Sequence, residues 1–381
     1  MFTLNAFVVR FAQSKYQRFG LPLAFASLAL FALWLNWSSV LGFGNWLAVL
    51  CALAALFTFG RARQARQIKA PPRRAFSWKN LAGFVLALAA TIAASGSLGV
   101  SYAAAHGLVH PARARVECSP EARGLVNYEA AVFHAADGLT LRGWYIPTQH
   151  SAVVILMHGL NRNRCRMLAE AALLSAHGYG VLLYDARNAG ESDGDTTTFG
   201  VQEVNDVIGA VDFVKSQPGV AAARIGLFGH SLGGATALMA AARLPEIRAV
   251  VAESTFSSLD ENIAGGVEKM TALPAFPFAP LVMLFGQFEA GVNLSQARPI
   301  DAIAALGSRP VLIAHGALDD VVPVSHAYRL YAAAPGPKEL FIIPNLNHYC
   351  CLPAGDVSAD YLQQYTEHFL GFLDKALLAE H

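Results

Sequence analysis

The sequence predicts an α/β domain: a mostly parallel eight-stranded sheet with helices on both faces and a small helical cap. About three transmembrane helices precede it. Three observations carry this reading. The first hundred residues are apolar and carry no acid. From Leu125 onward, strand-like and helix-like patterns alternate. Between one strand and the next helix sits a Gly-x-Ser-x-Gly turn centred on Ser231. The chain has 381 residues, a formal net charge of +1 and 54% hydrophobic residues.

Before Val109 there is no Asp or Glu. Residues 1–19 read as a cytoplasmic N-terminal segment and 20–110 as a membrane region. The apolar stretch 21–37 is about 17 residues long, near the lower limit for a span. Residues 41–60 give about 20 more without a charge, and 81–105 form a third such stretch. Charges are expensive at a bilayer centre, and buried helices of soluble domains usually keep a polar face. A cleaved leader would explain one such stretch and leave the others unexplained. Arg10, Lys15 and Arg18 precede the first span. Arg61, Arg63, Arg66, Lys69, Arg73, Arg74 and Lys79 lie between the second and third, and the first link has no charge. Basic loops stay cytoplasmic, so three spans place residues 111–381 on the extracytoplasmic side of a bacterial inner membrane. The expected partners are the lipid bilayer and a small-molecule or lipid acyl substrate. The near-neutral charge and the apolar flanks of the basic link argue against nucleic acid.

In residues 111–381, strand-like segments lie near 126–134, 139–146, 152–157, 180–184, 224–228, 248–252, 310–314 and 339–343. Ala136-Asp137-Gly138 is a hairpin signal, so the first edge is expected to be antiparallel. The stretch 254–306 exceeds what one helix and its links need, and is expected to form the cap. Its prolines, among them Pro274, Pro277 and Pro280, rule out one continuous helix through its first half. Its aromatic and aliphatic residues can line an acyl pocket, pack on the cap's own core, or dip into the membrane.

The strand Ile225–Phe228 runs into Gly229-His230-Ser231-Leu232-Gly233, and an alanine-rich helical stretch follows. Small residues on either side free such a turn of clashes and lift the serine hydroxyl above a helix N-terminus. Possible partners follow in the order acid, then histidine. The strand 310–314 leads to Asp319 and Asp320, and the strand 339–343 leads to His348. Either aspartate can orient His348, and His348 can take the proton of Ser231. Backbone N–H groups of Leu232 and Leu160 are the expected oxyanion donors. His158 precedes the nucleophile and reads as a structural loop residue.

From about Val126 onward the chain resembles an α/β-hydrolase. The resemblance rests on Leu141–Pro147, Met157-His158-Gly159, Tyr184–Ser192 and the turn around Ser231. It is similar to the serine-aminopeptidase-like branch of esterases, lipases and acyl hydrolases. In that branch the acid is the first Asp of a pattern like His-Gly-x-x-Asp-x-x-Val-Pro, which implies Asp319 rather than Asp320.

The resemblance implies a serine hydrolase acting on an ester, thioester or amide, and the apolar N-terminal stretches add a membrane anchor. The apolar cap favours hydrophobic acyl groups. An acyltransferase using the same triad is the alternative, and a non-catalytic scaffold would have no need of all three residues. No nucleotide-binding glycine motif or Cys/His metal spacing is present, so no cofactor and no metal are expected. Cys51 falls in a predicted span. An extracytoplasmic site permits a disulfide among Cys118, Cys165, Cys350 and Cys351, with the pairing open.

Overall fold

The computed structural model describes residues 78–348 and 359–379. The chain separates into two compact units, Met1–Ser101 and Tyr102–His381. The expected spans 21–37 and 41–60, with Cys51, Cys350 and Cys351, lie outside the described residues. The third expected span falls within helix α1, Trp78–Val109. Its apolar run Leu81–Val109 covers 29 residues, about 43 Å at 1.5 Å per residue. Among the described residues it is the one unbroken helix long and apolar enough to cross a membrane. Val85, Leu86, Ile92 and Val100 are exposed along it.

The second unit is built on eight strands: β1 (Glu129–His134), β2 (Thr140–Ile146), β3 (Val153–Met157), β4 (Gly180–Asp185), β5 (Ile225–His230), β6 (Ile247–Glu253), β7 (Val311–Gly316) and β8 (Lys338–Ile343). They form one sheet in the order β1-β2-β4-β3-β5-β6-β7-β8. β2 pairs antiparallel with both β1 and β4, and the remaining pairs are parallel. The β1–β2 turn is the one expected: Gly138 takes φ +92° and donates to the carbonyl of Ala135. The first strand starts later than the sequence suggests. Leu125 N–H bonds back to the carbonyl of Pro120, and Val126 is exposed, so this stretch closes a turn instead of extending the sheet.

The helices of this unit are α2 (Leu168–Ala176), α3 (Glu203–Lys215), α4 (Leu232–Arg243), α5 (Leu259–Thr271), α6 (Ala275–Ala290), α7 (Pro299–Ala304), α8 (Ser325–Ala333) and α9 (Ala359–Leu373). Strand residues alternate between two cores because successive side chains leave a strand on opposite faces. Ile155 and Met157 of β3 join a core with Val207, Leu238 and Leu330 of α3, α4 and α8. Val154 and Leu156 join a second core with Leu174 of α2 and Phe369 of α9. Helices therefore cover both faces, and β3 is buried at every position.

The insert after β6 carries α5 and α6, which pack on each other. The break between them falls at Ala272–Pro274, as the prolines require. Phe276, at φ −92° and ψ 132°, breaks the start of α6, so Pro280 falls in the first turn after the break, where N–H groups have no helical partner. α7 follows and packs on α4 and α8 beside the sheet. Cys118 and Cys165 are disulfide-bonded. The bond ties the segment before β1 to the turn after β3. Closing a loop of separation 47 lowers the freedom of the unfolded chain by the equivalent of about 4 kcal/mol.

Candidate active site

Parallel strands deliver their loops to one end of the sheet, and the expected catalytic residues meet there. Ser231 follows β5 directly, with φ 56° and ψ −116°. Such a backbone is costly for a side-chain-bearing residue and persists only where neighbours over-determine it. Ser231 N–H donates to the carbonyl of Glu253, and Ser231 O accepts from Ala235 N–H. A Cβ on Gly229 would come within 2.2 Å of Gly233 carbonyl atoms, and one on Gly233 within 2.3 Å of Met157 O. Strand and helix approach this closely only because both positions are glycine.

His348 lies after β8 and is buried. Its Nε2 is 3.0 Å from Ser231 Oγ, and its Nδ1 is 2.8 Å from Asp319 Oδ2. The neutral tautomer with its proton on Nδ1 satisfies both contacts: Nδ1–H donates to the carboxylate, and Nε2 accepts from the serine hydroxyl. Asp319 is buried, whereas Asp320 beside it is exposed. Of the two aspartates, Asp319 is the one whose carboxylate reaches His348.

Asp319 is held by more than the histidine. Its Oδ1 accepts N–H bonds from Val321 at 2.9 Å and Val322 at 2.7 Å. Its Oδ2 also lies 3.1 Å from His315 Nε2. Burial alone would raise the carboxyl pKa. Hydrogen bonds from His315, His348 and Val322 outweigh it and hold the group well below the ordinary carboxylate range. The carboxylate beside His348 therefore keeps its charge at pH values where ordinary carboxylates protonate. His315 is the first residue of the acid's motif, and its position four residues before Asp319, at the end of a buried strand, is the signal the sequence carries for it.

Behind the serine, His230 Nδ1 lies 3.1 Å from Glu253 Oε1. Burial lowers the pKa of His230 despite that partner. Its ring centroid is 5.1 Å from that of His348, so a neutral His230 places no second positive charge beside that ring. His158 is structural, as expected: its Nδ1 bonds the carbonyl of Gly159, and its Nε2 accepts from Ala186 N–H.

The two expected oxyanion donors border one small cavity of about 20 Å³, lined by Gly159, Leu160, Leu232 and Pro111–Ala114. It has room for a single water. Leu232 opens α4, where an N–H has no intrahelical partner. The loop carrying Leu160 runs against the serine: a Cβ on Gly159 would lie 3.2 Å from Ser231 Cβ. An apolar cluster surrounds this corner. Leu160 and Leu232 join Phe199, Phe256, Met283 and Val322 in it. Met283 also lines an open groove of about 540 Å³ along the cap, with Ala264, Phe276, Ala279 and Leu284.

The family model for serine aminopeptidase, S33, matches residues 148–286. The Bacillus subtilis protein YqkD is 32% identical over 222 residues, covering 58% of this chain and 72% of YqkD. The Salmonella typhi protein YfhR is 31% identical over 269 residues, covering 66% of this chain and 83% of YfhR. The chain belongs to the α/β-hydrolase superfamily. Thiohydrolase AneE of Aspergillus aculeatus is 26% identical over 276 residues, covering 58% of this hydrolase and 87% of AneE. Among solved structures, the Pyrococcus furiosus esterase Pf2001 superposes with a TM-score of 0.58 at 23% identity, covering 71% of this hydrolase and 98% of the esterase. That likeness concerns the fold.

The geometry yields a prediction that separates two neighbouring carboxylates. Asp319→Asn is expected to lower turnover by about 10⁴-fold, as loss of the orienting carboxylate does in serine proteases. Asp320→Asn, at an exposed position, is expected to change it only slightly. Steady-state rates on an activated ester check both, and the reverse ranking contradicts the assignment.

Proposed function

We propose that this hydrolase is a membrane-anchored serine enzyme that cleaves an ester, thioester or amide of a hydrophobic acyl group. The observation that carries the reading is the continuous relay from Ser231 Oγ through His348 to Asp319, at 3.0 and 2.8 Å. Ser231 Oγ attacks the acyl carbonyl while His348 Nε2 takes its proton. The tetrahedral oxyanion is met by the N–H groups of Leu160 and Leu232. The intermediate collapses, His348 returns the proton to the leaving alcohol, thiol or amine, and acyl-Ser231 remains. Water, deprotonated by the same imidazole, attacks the acyl carbon; the intermediate collapses, His348 returns that proton to Ser231 Oγ, and the acid leaves.

The preference for hydrophobic acyl groups is supported by the apolar corner at Leu160, Leu232 and Met283 and by the groove that Met283 shares. Thioesters are kept in the range on the strength of the relative named a thiohydrolase. On esters of rising acyl length, kcat/KM is expected to climb by up to about four-fold per methylene, the equivalent of about 0.8 kcal/mol of apolar burial. The climb ends where the groove is filled, and Ser231→Ala removes the activity at every length. A flat profile contradicts the acyl preference. Activity that survives in folded Ser231→Ala contradicts the mechanism.

Three spans, 21–37, 41–60 and the apolar run of α1, anchor the catalytic domain on the extracytoplasmic side of a bacterial inner membrane. The length and apolar surface of α1 support an anchor, with Val85, Leu86 and Ile92 left exposed. The disulfide between Cys118 and Cys165 fits an oxidising compartment. Met270, Phe276 and Phe288 are exposed on the cap, which suits a face working against lipid. A reporter enzyme active only outside the cytoplasm is expected to work when fused after His381 and to be silent within Arg61–Lys79. A silent fusion after His381, in stable full-length protein, contradicts the placement.

A further inference from the structure

The last turn of α1 carries His106, and His110 follows one helical turn later on the same side. Glu289, near the end of cap helix α6, faces both. His106 Nδ1 is 2.7 Å from Glu289 Oε2, and His110 Nε2 is 3.3 Å from the same oxygen. The carboxylate side chain is only 9% exposed. Among the described residues its ion-pair partners are these two histidines, with no lysine or arginine.

The second ring is already oriented. His110 Nδ1 lies 2.8 Å from the carbonyl of Asp195, which accepts, so Nδ1 carries the proton. That leaves Nε2 to face the carboxylate oxygen at 3.3 Å, positioned to ligate a metal ion held between them. A backbone carbonyl that fixes the tautomer of a histidine in this way is the usual outer support of a metal ligand.

We propose that His106, His110 and Glu289 form a binding site for a divalent transition-metal ion of the zinc class. Their three ligand atoms all lie within 4.8 Å of one another. Tetrahedral zinc with ligands at 2.0–2.1 Å separates them by about 3.3 Å, so small side-chain rotations admit the ion. Two imidazoles and one carboxylate suit zinc and its neighbours and are a poor set for calcium or magnesium, which take oxygen ligands. Binding moves the His106 proton from Nδ1 to Nε2, with no net proton release when both rings start neutral. The fourth position is left to water, since His106 and His110 are partly exposed. The ion ties the residues ending α1 to α6 beside the apolar cluster of Val109, Met283 and Ala290. Linear spacing does not reveal the set, because Glu289 stands 183 positions from His106.

The test uses full-length protein in detergent, dialysed against zinc and then against buffer, with metal content measured. Cobalt substitution gives a visible absorption whose intensity reports tetrahedral ligation. Wild-type protein is expected to hold one ion per chain. Affinity is expected to fall by more than about 100-fold in H106A/H110A and in E289Q, since loss of even an outer support costs 10–100-fold. Thermal unfolding of the apo proteins confirms that the variants are folded. A wild-type protein that retains no zinc overturns the proposal. So does zinc held with equal affinity by folded H106A/H110A and E289Q.

Discussion

The turn at Ser231 is the constraint on which the site rests. Its backbone, at φ 56° and ψ −116°, is one that an ordinary residue avoids. The glycines at 229 and 233 let β5, α4 and the end of β3 approach until no side-chain atom fits between them. That approach brings the loop of Gly159 against the serine, and Leu160 and Leu232 border one small cavity beside it. The strain is held by burial: β3, β5 and β7 are covered on both sides by the two cores, so the turn has nowhere to relax.

Electrostatics are arranged around the turn in a definite order. One buried carboxylate, Asp319, is kept charged by hydrogen bonds from Val322, His315 and His348. One buried imidazole, His230, is kept neutral by burial. Between them lies His348, which gains a fixed negative partner on one side and no competing cation on the other. Linkage gives the sign: a carboxyl depressed in the folded state stabilises the fold above its unfolded pKa, and that contribution fades as pH falls toward the depressed value. Acid therefore weakens the positioning of the imidazole only well below the ordinary carboxylate range.

Local pattern made much of the fold legible. β3 is an unbroken run of buried aliphatics, and β5 runs into a serine with a glycine two residues to either side, so both are readable residue by residue. Asp319 was separable from Asp320 only by the family motif, because both occupy the same loop and differ in burial alone. Three features escaped for a shared reason, which is that they depend on pairings across the fold. His315 supports Asp319 from the strand end behind it. Cys118 pairs with Cys165 because the segment before β1 crosses the turn after β3. Glu289 meets His106 and His110 because the cap folds back toward the end of α1. The start of β1 was misplaced because an apolar Val126 reads as strand, whereas the bond from Leu125 to Pro120 turns the chain there.

The central claim is that one strained serine, served by one imidazole, is the nucleophile. Mass spectrometry of the protein after reaction with a fluorophosphonate tests it most directly. A single adduct is expected on the peptide carrying Ser231, with labelling slowed strongly in His348→Ala. An adduct on another residue, or undiminished labelling of folded Ser231→Ala, would contradict it.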